Sequence, residues 1–274
     1  MQLHLRHIAI HPDLKEFVER IFVLETDGRV PDPDLKIIVP NGSVKLVIPI
    51  RNGIIGQRDG YSRLSKVNQM TLVGISDLPF TVDSEHDKPS ILVTVEFSVL
   101  GAYRFCNIRH SELKNKIFLL DEILGKAGQE LEALIANTAN INDKLKLIEQ
   151  FLIKTFSKAA TDTIFNYCVK KIKYSNGAVT IATLEKETGY SSRWLNMKFD
   201  ERIGLNPKTL CAIIRFQYVF QALAKNPGSL KGKLFYDIYY DQSHFIKEFK
   251  RFTGMAPAKF ESHENDFSKI FYKD

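Results

Sequence analysis

The feature that most restricts how this chain can fold is an internal repeat in its last third, displaced by fifty residues so that Tyr190 matches Tyr240. The first copy reads Tyr190-Ser191-Ser192-Arg193-Trp194-Leu195-Asn196-Met197-Lys198-Phe199, followed by Gly204-Leu205-Asn206-Pro207. The second reads Tyr240-Asp241-Gln242-Ser243-His244-Phe245-Ile246-Lys247-Glu248-Phe249, followed by Gly254-Met255-Ala256-Pro257. Each copy predicts a capped helix. Ser191 or Asp241 can accept the free N–H groups of the first turn, and Leu195/Phe199 or Phe245/Phe249 fall four apart on one buried face. Gly204 and Gly254 end the helices. The opposite face then carries Arg193, Asn196, Met197 and Asp200 in one unit, and Ser243, Ile246, Lys247 and Lys250 in the other.

Ahead of the first copy, Thr180–Glu187 predicts a short helix, and Gly189 can take the left-handed conformation of a tight helix-to-helix turn. That is a helix-turn-helix. Between the copies, Asn206 caps and Pro207 starts a helix with Leu210, Ile213, Phe216, Phe220 and Leu223 at three- and four-residue steps, stopped by Asn226-Pro227-Gly228. This linker helix would hold the two units in a fixed relation.

The rest of the chain has a different period. From Leu35 to about Phe105 it reads as strands, at Leu35–Val39, Val44–Ile50, Met70–Val73, Phe80–Asp83 and Ile91–Phe97. Asn41-Gly42 and Asn52-Gly53 sit between such runs, and both are expected to close hairpins of a meander. A helical period follows, clearest at Ile141, Leu145, Ile148 and Leu152 and looser over residues 117–136. With 274 residues and 44% hydrophobic content, the chain can bury two ordinary cores. The expected architecture is α+β: a small β-barrel or sandwich domain over residues 1–112, a helical connector or dimerisation segment over 113–160, and an all-α domain of two helix-turn-helix motifs over 161–274. The connector's stripe is expected to pack on its own chain.

Charge separates these parts. Residues 165–274 hold 18 Lys and Arg against 11 Asp and Glu, whereas residues 1–164 hold 20 against 21, so the positive excess lies wholly in the C-terminal part and suits an anionic partner. Three scattered cysteines, Cys106, Cys168 and Cys211, suit neither a disulfide framework nor a zinc site, and fit a reducing cytoplasm. There is no run of eighteen apolar residues and no basic-then-apolar N-terminal pattern, so neither membrane spanning nor secretion is expected. His4, His7 and His11 read as surface histidines, and His86 as part of a charged loop with Asp83, Glu85 and Asp87. No cofactor, metal or catalytic motif is expected: G-x-S-x-G, H-E-x-x-H and the P-loop are all missing.

The C-terminal residues resemble the AraC/XylS-type transcription regulators. Gly204-Leu205-Asn206-Pro207-Lys208-Thr209-Leu210 with Arg215-Phe216-Gln217 looks like that family's link after its first motif. The run from Tyr239 to Pro257 is similar to its most recognisable signature. The resemblance covers residues 165–262. Pro40-Asn41-Gly42-Ser43-Val44-Lys45-Leu46-Val47 resembles an N-terminal β domain often joined to such regulators. The family usually has glycine where Ile238 stands, Ile-Ala where Lys233-Leu234 stand, and arginine where Met197 stands. A β-branched Ile238 implies a differently shaped second turn.

The resemblance implies a cytoplasmic, bacterial regulator whose two reading helices enter successive major-groove segments of double-stranded DNA, about 34 Å apart. Arg193 would bond guanine and Asn196 adenine, with Ser192 assisting and Met197 touching a thymine methyl. From the second helix Gln242 and Ser243 would meet bases, Ile246 would make an apolar contact, and Lys247 and Lys250 would meet phosphates. Trp194 is expected in the core beside the buried face, and Tyr190, Tyr239 and Tyr240 against the turns. The N-terminal domain would exert control through a small-molecule effector, a homodimer or both, and an activator would also meet RNA polymerase. Two alternatives stand beside this reading: an enzyme whose β domain binds a small substrate, with an accessory nucleic-acid-binding part, and a partner-binding protein that has lost specific DNA affinity.

Overall fold

The computed structural model describes residues 3–28, 37–58, 60–106, 108–156, 162–225, 239 and 241–261. Leu35-Lys36, Asn226-Pro227-Gly228, Lys233-Leu234, Ile238 and Tyr240 lie outside them.

Among the described residues ten strands form: β1 (Leu3–Ile8), β2 (Val18–Thr26), β3 (Ile37–Ile38), β4 (Lys45–Arg51), β5 (Ile54–Arg58), β6 (Tyr61–Ser65), β7 (Thr71–Val73), β8 (Phe80–Ser84), β9 (Ser90–Phe97) and β10 (Ile117–Leu119). They form two sheets, ordered β1-β2-β9-β4-β7-β10 and β3-β8-β5-β6. Alternation along the strands divides the six-stranded sheet between two apolar environments. Phe22, Leu24, Val47, Val73 and Leu92 face the four-stranded sheet across a cavity. Ile21, Val23, Leu46, Ile48, Leu72, Val93, Val95 and Phe97 point the other way into the main core. There the sheet meets helices α1 (Val99–Phe105) and α4 (Ile141–Phe156), with α2 (Leu120–Leu124) and α3 (Lys126–Asn137) alongside. Phe156 of α4 stacks on Phe17 at 4.6 Å and meets Phe97 edge-on at 6.0 Å. Ile148 and Leu152 are fully buried, so the stripe of α4 packs within its own chain. Lys144 is buried with them, donating to Ile135 O and to Asn68 Oδ1.

The structure corrects several sequence expectations here. Neither Asn-Gly closes a hairpin. β3 and β5 lie in one sheet and β4 in the other, so Asn41-Gly42 and Asn52-Gly53 carry the chain between sheets. Gly42 (φ +78°) and Asn52 (φ +63°) do adopt left-handed backbone. An Asn-Gly pair thus marks a positive φ and not a pairing, which is decided by where the flanking apolar faces are buried. β5 and β6 pair as antiparallel neighbours, with Arg58 opposite Tyr61. Strands β1 and β2 precede the region read as β, and β2 is paired on both edges, with β1 and β9. Ile117–Leu119, read as loosely helical, is an edge strand on β7, a choice made by the sheet because three apolar residues carry no period of their own. His4 and His7 lie on β1, with exposed side chains.

Among the described residues the remaining helices are α5 (Thr163–Tyr174), α6 (Ile181–Thr188), α7 (Ser192–Ile203), α8 (Pro207–Lys225), α9 (Gln242–Thr253) and α10 (Pro257–Glu261). Their core is aromatic: Phe165 and Phe199 meet at 5.2 Å, and Phe216 lies against Phe249 and Phe252 at 5.7 and 5.1 Å.

Candidate nucleic-acid interface and effector cavity

Helices α6 and α7 form the first helix-turn-helix. Thr180 caps α6 by accepting from Thr183 N (3.1 Å), and Gly189 ends it in the left-handed conformation (φ +75°). Ser191 then caps α7 by accepting from Trp194 N, and Gly204 closes it (φ +74°). In α9 the same devices recur, with Asp241 Oδ1 accepting from His244 N at 2.7 Å and Gly254 at φ +79°. Leu195 and Phe199, like Phe245 and Phe249, are buried at matching positions. That fixes the rotation of both helices about their axes, and with it which side chains reach solvent.

On α7 that leaves Arg193, Asn196, Met197 and Asp200 exposed and Ser192 half-buried; on α9, Gln242, Ser243, Ile246, Lys247 and Lys250 are exposed. Met197 (54%) and Ile246 (39%) are large apolar side chains held in water on these faces. Trp194 packs against the edge of the core without being enclosed by it. It is half-buried, stacked on the exposed ring of Tyr190 with centroids 4.0 Å apart, and the Lys198 ammonium lies over its ring, 5.8 Å from the centre. Tyr239 is buried against Phe245 and His244, with the Arg215 guanidinium 5.3 Å from its ring centre.

Helix α8 bridges the two units. Arg215 makes a bidentate pair with Glu248 of α9 (2.6 and 3.3 Å) and donates to Gly177 O (3.2 Å), and Glu248 also meets His244 at 3.2 Å. The N-terminal domain backs all three helices. His110 and its neighbours press against α7 beside Gly204. Gln217 of α8 donates to Pro40 O at 2.6 Å in a buried bond. Arg251 of α9 donates to Asp77 at 2.8 Å; Asp77 also pairs with Lys114 (2.9 Å) and accepts from Asn115 (2.8 Å). Those donors hold the Asp77 carboxyl below its ordinary pKa against the opposing pull of its burial. Lys250 and Arg251 thereby line a cleft of about 860 Å³ shared with Gln57, Tyr61 and Leu78–Thr81.

A second candidate site lies between the sheets. The cavity, about 90 Å³, is lined mostly by apolar side chains from both sheets, and its charged residues include Arg20, Lys45, Glu96 and Asp83. Glu96 is 1% exposed and accepts from Arg20 (2.6 and 2.7 Å), Asn41 (2.6 Å), Ser43 (3.2 Å) and Lys45 (3.3 Å). Burial raises its pKa, but the Lys45 and Arg20 charges and the Asn41 bond outweigh burial and hold it at about 2. At Lys45 the balance reverses: burial lowers the ammonium pKa more than Glu96 raises it. Sequence reasoning missed this cluster because β2 was unread. The signal was Glu96 itself, a carboxylate two and four residues from Thr94 and Leu92 on the same face of an otherwise apolar strand. Among the described residues, no group of three His, Cys, Asp or Glu side chains could hold a metal ion, and no helix is long and apolar enough to cross a membrane.

Helices α6 and α7 form a helix-turn-helix, α8 joins them to α9, whose caps repeat those of α7, and a two-sheet domain backs them; the C-terminal region carries a helix-turn-helix domain of the AraC type. Residues 184–263 match the family model described as Helix-turn-helix domain, and residues 6–118 match one described as a domain of unknown function, DUF6597. Among curated proteins none matches the sequence. Among solved structures the chain is similar to ToxT from Vibrio cholerae bound to (E)-4-(8-methylnaphthalen-1-yl)but-3-enoic acid, at 17% identity and TM-score 0.50, over 88% of this chain and 98% of that one. A second ToxT structure from Vibrio cholerae gives 18% identity and TM-score 0.49 over the same shares. The cupin domain of an XRE family transcriptional regulator from Enterobacter cloacae matches 35% of this chain and 96% of that one, at 14% identity and TM-score 0.29. The likeness to the first of these is one of fold.

Proposed function

We propose that the chain is a sequence-specific regulator that reads two successive major-groove segments with α7 and α9, under control of a small molecule held between the N-terminal sheets. The observation that carries this is the pair of exposed faces at equivalent positions of one repeated, capped unit. Arg193 takes a guanine and Asn196 an adenine, with Ser192 and Met197 beside them. Gln242, Ser243 and Ile246 read from α9, and Lys247 and Lys250 take phosphates. The cavity supports the second half of the reading: mostly apolar and charged at few points, it suits a compact apolar molecule with one polar end. ToxT, which shares the fold, binds a butenoic acid with a bulky apolar group. Because the N-terminal domain touches α7, α8 and α9, occupancy of the cavity would alter how the reading faces are presented.

Selection of bound duplexes from a random pool, with wild type beside Arg193→Ala at near-physiological salt, tests this. Two short blocks one helical turn apart are expected, with the first relaxed in the variant at a cost of about 1–3 kcal/mol. Weak, steeply salt-dependent binding with no enriched sequence would refute the reading.

A further inference from the structure

The turn Pro40-Asn41-Gly42-Ser43 touches the cavity with one side and the linker helix with the other. Asn41 lines the cavity. Its amide nitrogen donates to Glu96 (2.6 Å), and its amide oxygen accepts from the Ser43 hydroxyl (2.7 Å), the Ser43 backbone N–H (3.2 Å) and the Lys45 ammonium (3.0 Å). One residue earlier, Pro40 O accepts the buried bond from Gln217 of α8. One residue later, Gly42 lies beside Leu210, Ile213 and Ile214 of α8, within van der Waals reach of an added Cβ (3.4 Å to Leu210 Cδ1). Helix α8 in turn grips α9 through Arg215–Glu248 and Phe216–Phe249.

We infer that this turn is the link by which the cavity sets the position of α8, and through it α9. The inference rests on the effector reading for its biological use, and it names Asn41, Lys45 and Gln217 as positioning residues. Asn41 uses its amide nitrogen and its amide oxygen in the polar wall. A ligand group that bonds Lys45 or Glu96 competes for those partners, and Asn41 cannot re-pair without moving the backbone on either side of it. That backbone is packed against a helix with buried contacts, so the displacement passes to α8 instead of being absorbed by solvent. Gly42 turns the chain through left-handed backbone (φ +78°) where it meets the helix.

The test perturbs the two ends of the link in the full chain, with Lys45→Met at the cavity and Gln217→Met on the helix, singly and together. Amide hydrogen exchange is followed across 207–225 and 242–253. Lys45→Met is expected to speed exchange there about fivefold, and to add little once Gln217→Met is present, because the link is already cut. Val82→Ala, on the opposite wall of the cavity, should leave both helices unmoved. Should Lys45→Met fail to fold, Asn41→Ser interrupts the same link with less disturbance. Effects that simply multiply in the double variant, or that spread evenly over the chain, overturn the link. Exchange coupling in a protein that enriches no duplex would sustain the link and refute the DNA reading, whereas specific DNA binding with additive exchange would do the reverse.

Discussion

Glu96→Gln should expose what the buried charge cluster contributes to stability. In the native protein the Glu96 carboxyl titrates at about 2, against an ordinary value of 4.5. A folded pKa below the unfolded one means that stability is fully present above about 4.5 and is lost as pH falls toward 2. The difference corresponds to about 3 kcal/mol at neutral pH and about 1 kcal/mol at pH 3. Glutamine keeps the shape of the protonated acid but strands Arg20 and Lys45 without their counter-charge. At neutral pH the variant should therefore lose about 3 kcal/mol, in line with the usual cost of removing one partner of a buried pair. Urea unfolding followed by far-ultraviolet circular dichroism reads this directly, provided the slope with denaturant is unchanged. The gap between wild type and variant should shrink by more than half between pH 7 and pH 3, and Lys45→Met added to Glu96→Gln should recover at least about 1 kcal/mol by removing the stranded ammonium. A gap below about 1 kcal/mol at pH 7, or one indifferent to pH, would show that the cluster does not hold this carboxylate ionised.

Asp77→Asn removes the charge that Arg251 and Lys114 share. It should cost about 1 kcal/mol, since both cations keep substantial solvent contact, and raise exchange in α9 more than in α7; equal changes would show that Asp77 does not restrain α9. Gly189 and Gly204 have nearly equal positive φ, yet a Cβ at Gly189 meets open space while one at Gly204 runs into the His110 carbonyl. Chemical melts should therefore find Gly189→Ala costing about 1–2 kcal/mol and Gly204→Ala clearly more, and similar losses would contradict the packing of α7 on the N-terminal domain. Burial pushes the Cys106 thiol up to about 12 and those of Cys168 and Cys211 to about 11. A disulfide reagent at pH 8 should leave all three untouched until the protein is unfolded, and rapid labelling of the native protein would contradict their burial.

Helices α7 and α9 were legible in the sequence because every determinant of a capped amphipathic helix is local. Ser191 and Asp241 lie within three residues of the N–H groups they satisfy. Leu195, Phe199, Phe245 and Phe249 mark the buried face by spacing alone, and Gly204 and Gly254 are needed where the backbone turns left-handed. Knowing the buried face gives the exposed one, so Arg193, Asn196 and Lys247 could be placed on the exposed faces before any tertiary structure. Strand partners are a different matter. Asn41-Gly42 and Asn52-Gly53 look like hairpin turns from within a ten-residue window, and only packing shows that each one crosses between sheets. The stack of Tyr190 on Trp194 was hidden for a related reason, since a residue at the edge of a buried stripe goes wherever its neighbours leave room. The sequence by itself determined two capped, repeated helices with outward-facing polar side chains. Tertiary structure alone decided that Arg20, Asn41, Lys45 and Glu96 would share one cavity wall and that Pro40 would meet Gln217, 177 positions further along the chain. Such contacts depend on how whole layers pack, and no local preference encodes them.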